Sequence, residues 1–282
     1  MVCTASTSYS ETHFAMHALE AGALSVLRKP KGLSDKDAAV DSAAIVDTLK
    51  LMSEVKLVRR WESPPPATLR SVQSLSEPAG RGDVHHPVSI VAIGASTGGP
   101  PAVLQILSGL TTAFPAPILL VQHISTGFAV GFAEWLASAS GLPVRVAVDG
   151  ETPLPGHVYV APDDRHLSVG SRGELRTTCC EPQHGLRPSV GVLFRSVAEH
   201  IGSSSIGVLL TGMGRDGAEE LKVMKDAGAL TIAQDEESSV VFGMPGEAIK
   251  LDAARFVLPP QKIAKVLVER VRSSASKRGI YV

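Results

Sequence analysis

Apolar runs that alternate with helix-period segments set the strongest limit on how this chain can fold. The runs are Ile90–Ile93, Ile118–Val121, Val144–Val148, Ile206–Leu210, Thr231–Ala233 and Phe256–Leu258. They are runs rather than apolar–polar alternations, as expected of strands covered on both faces. Between them lie segments of helical period. Pro100 and Pro101 suit a first helical turn, where a missing N–H costs little, and Val103, Leu107 and Leu110 follow at i, i+4 and i+7. Phe128–Ser140, Pro188–Gly202, Gly217–Ala227 and Ile263–Val271 also read as helices. Strands alternating with helices imply an α/β fold with a doubly wound, mostly parallel sheet. The stretch from Gly156 to Thr178 breaks the rhythm with short Val/Tyr/Leu segments separated by APDD and GSRG, and is expected to be a hairpin insertion.

Glu62–Pro87 differs in composition from both flanks. It carries three consecutive prolines, scattered Ser and Gly, and few large apolar residues. Such a stretch cannot bury enough surface to fold, so residues 62–87 read as a linker. It separates an N-terminal piece, 1–61, from a main domain, 88–282. The formal net charge of −1 gives no global reason to expect nucleic acid or an anionic membrane as partner. The three cysteines, Cys3, Cys179 and Cys180, form no C-x-x-C pair, so neither a disulfide framework nor a zinc site is expected. The N-terminus lacks a basic region followed by an apolar core, and no apolar run approaches the ~18 residues of a membrane span. A cytoplasmic protein without membrane insertion, metal or cofactor is the expectation.

Ligands of open parallel sheets bind beyond the carboxyl ends of the strands. There the first run delivers Ser96, within Gly94-Ala95-Ser96-Thr97-Gly98-Gly99-Pro100. The second delivers Gln122-His123, and Ile206–Leu210 leads through TGMGRDG to Asp216. A serine hydroxyl is a poor nucleophile until a histidine takes its proton, an effect typically worth ~10²–10⁴-fold. A buried carboxylate fixes the imidazole tautomer, and backbone N–H groups of a glycine-rich turn hold the oxyanion. The order Ser…His…Asp differs from the Ser…Asp/Glu…His of α/β-hydrolases, but a triad is defined by geometry rather than by order.

Each residue also has a plainer reading. Ser96 could cap the following helix, His123 could be a solvated loop residue, and Asp216 could cap the helix beginning at Gly217-Ala218. Dinucleotide binding is the rival for the loop as a whole. Serine stands where that fingerprint needs its middle glycine, and no acidic residue lies between Leu110 and Gln122. His13 and His17, at i and i+4, lack a third metal ligand nearby. His85-His86 lies in the linker.

The main domain resembles the catalytic domain of the chemotaxis receptor protein-glutamate methylesterases, the CheB family. The matching motifs are IGASTGGP at 93–100, QH followed by GF at 122–128, LPGHVYVAPDDRHL at 154–167, RPSVGVLF at 187–194, GVLLTGMGRDGA at 207–218 and TIAQDEESSVVFGMPGEAI at 231–249. They run in family order from Ser89 to about Leu258. The resemblance implies Ser96 as nucleophile, His123 as base and Asp216 as the residue orienting it. It implies an oxyanion and substrate pocket around Thr97, Gly98, Gly99 and Met213. The implied activity is hydrolysis of γ-glutamyl methyl esters on receptor helices with release of methanol, together with deamidation of receptor glutamines. The rival from another class is a receptor-docking module with an idle triad. Two departures stand out. Ile124-Ser125 replaces a typical Met-Pro, and Gly191 replaces a typical Asp; both are expected to alter the pocket wall.

The N-terminal piece resembles the last part of a response-regulator receiver, a flavodoxin-like fold. Met1–Thr4 and HFAMHALEAGALSVLRKP match its fourth strand, fourth helix, fifth strand and Lys-Pro turn. Lys29 matches the receiver lysine, Thr4 lies near the switch hydroxyl, and residues 33–60 would be the last helix. The receiver's acidic pair and acceptor aspartate precede this part. The expectation is therefore no phosphorylation site in this sequence, a truncated start, and a histidine kinase as partner only if a full receiver lies upstream.

Overall fold

The computed structural model describes residues 2–5, 14–15, 17–18, 23, 25–30, 38–53 and 88–276. The expected linker, His13 and His85-His86 lie outside the described residues. In the N-terminal piece, β1 (Val2–Ala5) and β2 (Ser25–Arg28) pair in parallel, and Lys29 N–H extends the pairing to Ala5 O at 2.9 Å. Helix α1 (Ala38–Ser53) follows.

The main domain is built on seven parallel strands. They are β3 (Ile90–Ala95), β4 (Ile118–Gln122), β5 (Val144–Val146), β6 (Val158–Val160), β9 (Ser205–Leu209), β10 (Leu230–Gln234) and β11 (Phe256–Leu258). Their order across the sheet is β11-β10-β9-β3-β4-β6-β5. Strand β6 corrects the sequence reading. It belongs to the main sheet, in parallel register with β4 and β5 (Ile118↔Val158, Val144↔Val158), and not to an insertion. The hairpin is confined to β7 (His166–Val169) and β8 (Leu175–Thr178).

Every residue of β3, β4, β6 and β9 is buried, which accounts for their unbroken apolar character. Alternate residues face opposite layers. Val91, Ile93, Ile118 and Leu120 pack with α2 (Gly99–Leu107), α3 (Ala129–Ser140) and α7 (Pro260–Ser276). Ile90, Ala92, Leu119 and Val121 pack with α4 (Val190–His200), α5 (Ala218–Asp226), α6 (Met244–Lys250) and the hairpin. The result is a helix–sheet–helix sandwich. The chain leaves β3 toward β4 on one side and later returns to β9 on the other. The carboxyl ends of β3, β4 and β9 thus meet at the point where the strand order reverses, the ordinary ligand site of open α/β sheets. Among the described residues, no helix is long and apolar enough to cross a membrane.

Candidate active site

Ser96 follows β3 directly. Its N–H donates to Thr211 O at 3.0 Å and its carbonyl accepts the Gly99 N–H at 2.8 Å, so a tight turn is held against the end of β9. The side chain does not cap the next helix. That position belongs to Gly98, at φ 76°, and no side chain bonds there. Half-buried Ser96 is thereby left available at the strand end.

His123 is one residue beyond β4. Ala95 and Gln122 are register partners, and His123 N–H donates to Ala95 O at 2.9 Å. Ser96 and His123 are therefore the next residues on two paired strands, whose ordinary spacing is about 4.8 Å. The His123 side chain is 11% exposed, and its Nε2 lies 2.9 Å from Asp216 Oδ2.

Asp216 is 6% exposed and does not cap α5, whose N-cap is Gly217. Its carboxylate instead accepts four hydrogen bonds. Oδ2 accepts from His123 Nε2 and from Val190 N–H at 2.7 Å; Oδ1 accepts from Ser189 Oγ at 2.8 Å and Gly191 N–H at 3.1 Å. Burial pushes the carboxyl pKa up. The His123 hydrogen bond and charge, the Ser189 hydroxyl and the Val190 N–H outweigh burial and leave it below the ordinary aspartate value. The first turn of α4 thus serves as an anion cradle for the carboxylate that orients His123. Close approach makes this possible, since a Cβ on Gly94 would lie 2.2 Å from Val190 Cγ1.

The cradle was not legible in the sequence as a site. Ser189 and Val190 stand in the sequence as part of a helical segment and of the RPSVGVLF motif, and Gly191 as part of a pocket wall. The structure places Gly191 against the Asp216 carboxylate: a Cβ there would lie 3.2 Å from Asp216 Oδ1 and 2.9 Å from the Glu220 carboxyl. Ser189 is itself pinned by buried His166, whose Nδ1 accepts the Ser189 N–H at 3.2 Å. At the other departure, Ile124 packs against the core layer of α2 and α3, and Ser125 Oγ makes a long contact of 3.4 Å to Val26 O.

The expected pocket residues surround Ser96. Thr97 O accepts from the buried Thr211 hydroxyl at 3.0 Å, and that oxygen in turn accepts the Val241 N–H at 2.9 Å. This fastens the serine turn to the loop after β10. Half-buried Met213 follows Gly212, where a Cβ would lie 2.6 Å from Ser96 Cβ. Gly98 and Gly99 are buried, against Val240 and Gln122 respectively. Cys179 and Cys180 are exposed and free.

A family model described as CheB methylesterase matches residues 91–267. The chain belongs to the CheB methylesterase family. It is 49% identical over 273 residues to a protein-glutamate methylesterase/protein-glutamine glutaminase of Nitrosospira multiformis, a match spanning 96% of this chain and 76% of the relative. A protein of Syntrophus aciditrophicus with the same name, numbered 1, is 49% identical over 275 residues, covering 98% of this chain and 78% of the relative. The crystal structure of the Thermotoga maritima CheB methylesterase catalytic domain superposes with a TM-score of 0.62 at 42% identity. That match covers 64% of this chain and 98% of the solved one. The doubly wound fold is thus a family property, and the chain is a hydrolase of this family.

Proposed function

We propose that this protein hydrolyses the γ-methyl esters of glutamates on the cytoplasmic helices of chemotaxis receptors. It also deamidates receptor glutamines by the same acyl chemistry, and serves adaptation in chemotaxis. Ser96 is the nucleophile, His123 the general base and acid, and Asp216 the orienting carboxylate. The observation that carries the assignment is the His123–Asp216 hydrogen bond, at 2.9 Å and beside Ser96 at the switch point of the sheet. With Nε2–H donated to Asp216, Nδ1 holds the lone pair that accepts the Ser96 proton.

The steps follow from this placement. Ser96 Oγ attacks the ester carbon while its proton passes to His123. The oxyanion is held by backbone N–H groups of the Thr97 and Met213 segments, an arrangement typically worth ~10²–10³-fold per donor. The imidazolium then protonates the leaving methoxide, or the leaving amine of a glutamine, and methanol or ammonia departs. Water, deprotonated by His123, attacks the acyl-serine, and the free glutamate and Ser96 are restored. Two acyl transfers over lower barriers replace one difficult hydrolysis.

The substrate face of such receptors is cytoplasmic, and this reading places the enzyme there. Residues 1–61 read as the C-terminal half of a receiver-like domain, supported by the parallel β1–β2 pair ending beside Lys29. A histidine kinase would act only through a receiver that carries an acceptor aspartate. The test is methanol release from methylated receptor helices by the wild-type protein and by Ser96→Ala. The reading expects release to vanish in the variant; equal rates would contradict it.

A further inference from the structure

Gln122 ends β4 and is 3% exposed. Its Nε2 donates to Ser96 O at 2.8 Å and to His123 O at 2.9 Å. A primary amide has two N–H hydrogens, and both are committed here. The acceptors are the carbonyls of the proposed nucleophile and the proposed base. The amide oxygen, Oε1, is buried without a hydrogen-bond partner. A buried acceptor left unmatched is costly, and a side chain kept only for packing, such as methionine, would avoid the cost. Reversing the amide would set its oxygen against two carbonyls, so the chemistry fixes its orientation. Room for the group comes from Gly99, where a Cβ would lie 2.2 Å from Oε1. The second glycine of the serine turn and the glutamine before the histidine are two halves of one device.

We propose that Gln122 is a positioning residue that holds Ser96 and His123 in register through a single amide. The proposal rests on the triad reading above. Ser96 O already closes its own turn by accepting Gly99 N–H, and His123 N–H already reaches Ala95 O. Gln122 adds the link between the two functional residues themselves. Alignment at this point matters steeply, because a misplacement of ~1 Å in a reacting constellation can cost about 10²-fold in rate. The unmatched Oε1 is the cost accepted for two donors on one rigid group.

The test uses two variants of the full chain, with methanol release and fluorophosphonate labelling as readouts. Gln122→Met keeps the volume and removes both donors. Its kcat should fall roughly 10–100-fold while KM stays within about twofold, and its thermal midpoint should change little because the orphaned acceptor is removed as well. Gln122→Glu keeps the shape but carries one hydrogen when protonated and none when ionised. The ratio of its kcat to that of the wild type should therefore fall as pH rises from about 6 to about 9, which packing alone would not produce. Wild-type turnover and Ser96 labelling in Gln122→Met would overturn the proposal and leave the triad standing. Absence of label on Ser96 in the wild type would overturn the triad reading and this proposal with it. Loss of the folded state in both variants would also overturn it, since the amide would then serve the fold rather than the alignment.

Discussion

Replacing Asp216 with asparagine removes one charge while nearly preserving the shape of the side chain. In the proposed mechanism an imidazolium forms at His123 during attack, and His123 Nε2 lies 2.9 Å from Asp216 Oδ2. Two unit charges at that separation attract by about 6 kcal/mol at an effective dielectric of ~20. An asparagine oxygen would keep a dipolar part of this attraction, so about 4–5.5 kcal/mol of transition-state stabilisation is lost. That corresponds to roughly a 10³–10⁴-fold fall in kcat. Stability falls as well. Each carboxylate oxygen accepts two donors, so the amide NH₂ must face either Val190 N–H and His123, or Gly191 N–H and the Ser189 hydroxyl. One buried backbone N–H is then left unmatched, at about 1–3 kcal/mol. The assay is kcat from methanol release on a methylated receptor fragment, with thermal unfolding in parallel. A folded Asp216→Asn protein with kcat within about tenfold of wild type would refute the electrostatic role.

Three further outcomes follow from the same geometry. Ser189→Ala removes one donor from Oδ1 and leaves the Gly191 N–H; about 1–3 kcal/mol of stability and up to roughly tenfold of kcat should be lost, and a change confined to KM would contradict the cradle. Gly94→Ala drives a methyl into Val190, so unfolding measurements should show a loss of about 1–3 kcal/mol, with kcat lowered through the shifted Val190 N–H; unchanged stability and kcat would contradict the close approach. Because the folded Asp216 pKa is lowered, its stabilisation is present above the unfolded value of about 3.9 and is lost only as pH falls through the lower folded value. The stability difference between wild type and Asp216→Asn should therefore stay flat from about pH 7 to about pH 5. A stability difference that changed steeply within that range would contradict the lowered Asp216 value.

The strands at the centre of the sheet were legible because burial on both faces forces continuous apolar runs, as in Ile118–Leu120. Strand β6 was not. Val158–Val160 is only three residues long between Pro155-Gly156 and Pro162-Asp163, and its place depends on pairing with two strands at once. Helix α6 was not picked out because its seven residues, Gly246 among them, are too few to show a helical period. Ser96, His123 and Asp216 could be picked out because each directly follows a strand or the loop it leads into. The groups that hold them could not. Ser189, Val190 and Gly191 reach Asp216 from α4, 25–27 residues away in the chain, and nothing local in the sequence marks them as donors. Gln122 stood beside the histidine in plain view. Its work lies in two backbone carbonyls that only the fold brings to one amide.

The central claim is that Ser96 forms the covalent bond to the substrate. Mass spectrometry of acid-quenched turnover on a methylated receptor peptide tests it most directly. The claim predicts an acyl adduct on the fragment bearing Ser96, its mass that of the peptide acid less water. The adduct should form in wild type and be absent from Ser96→Ala. An adduct on another residue, or steady turnover by Ser96→Ala, would contradict the claim.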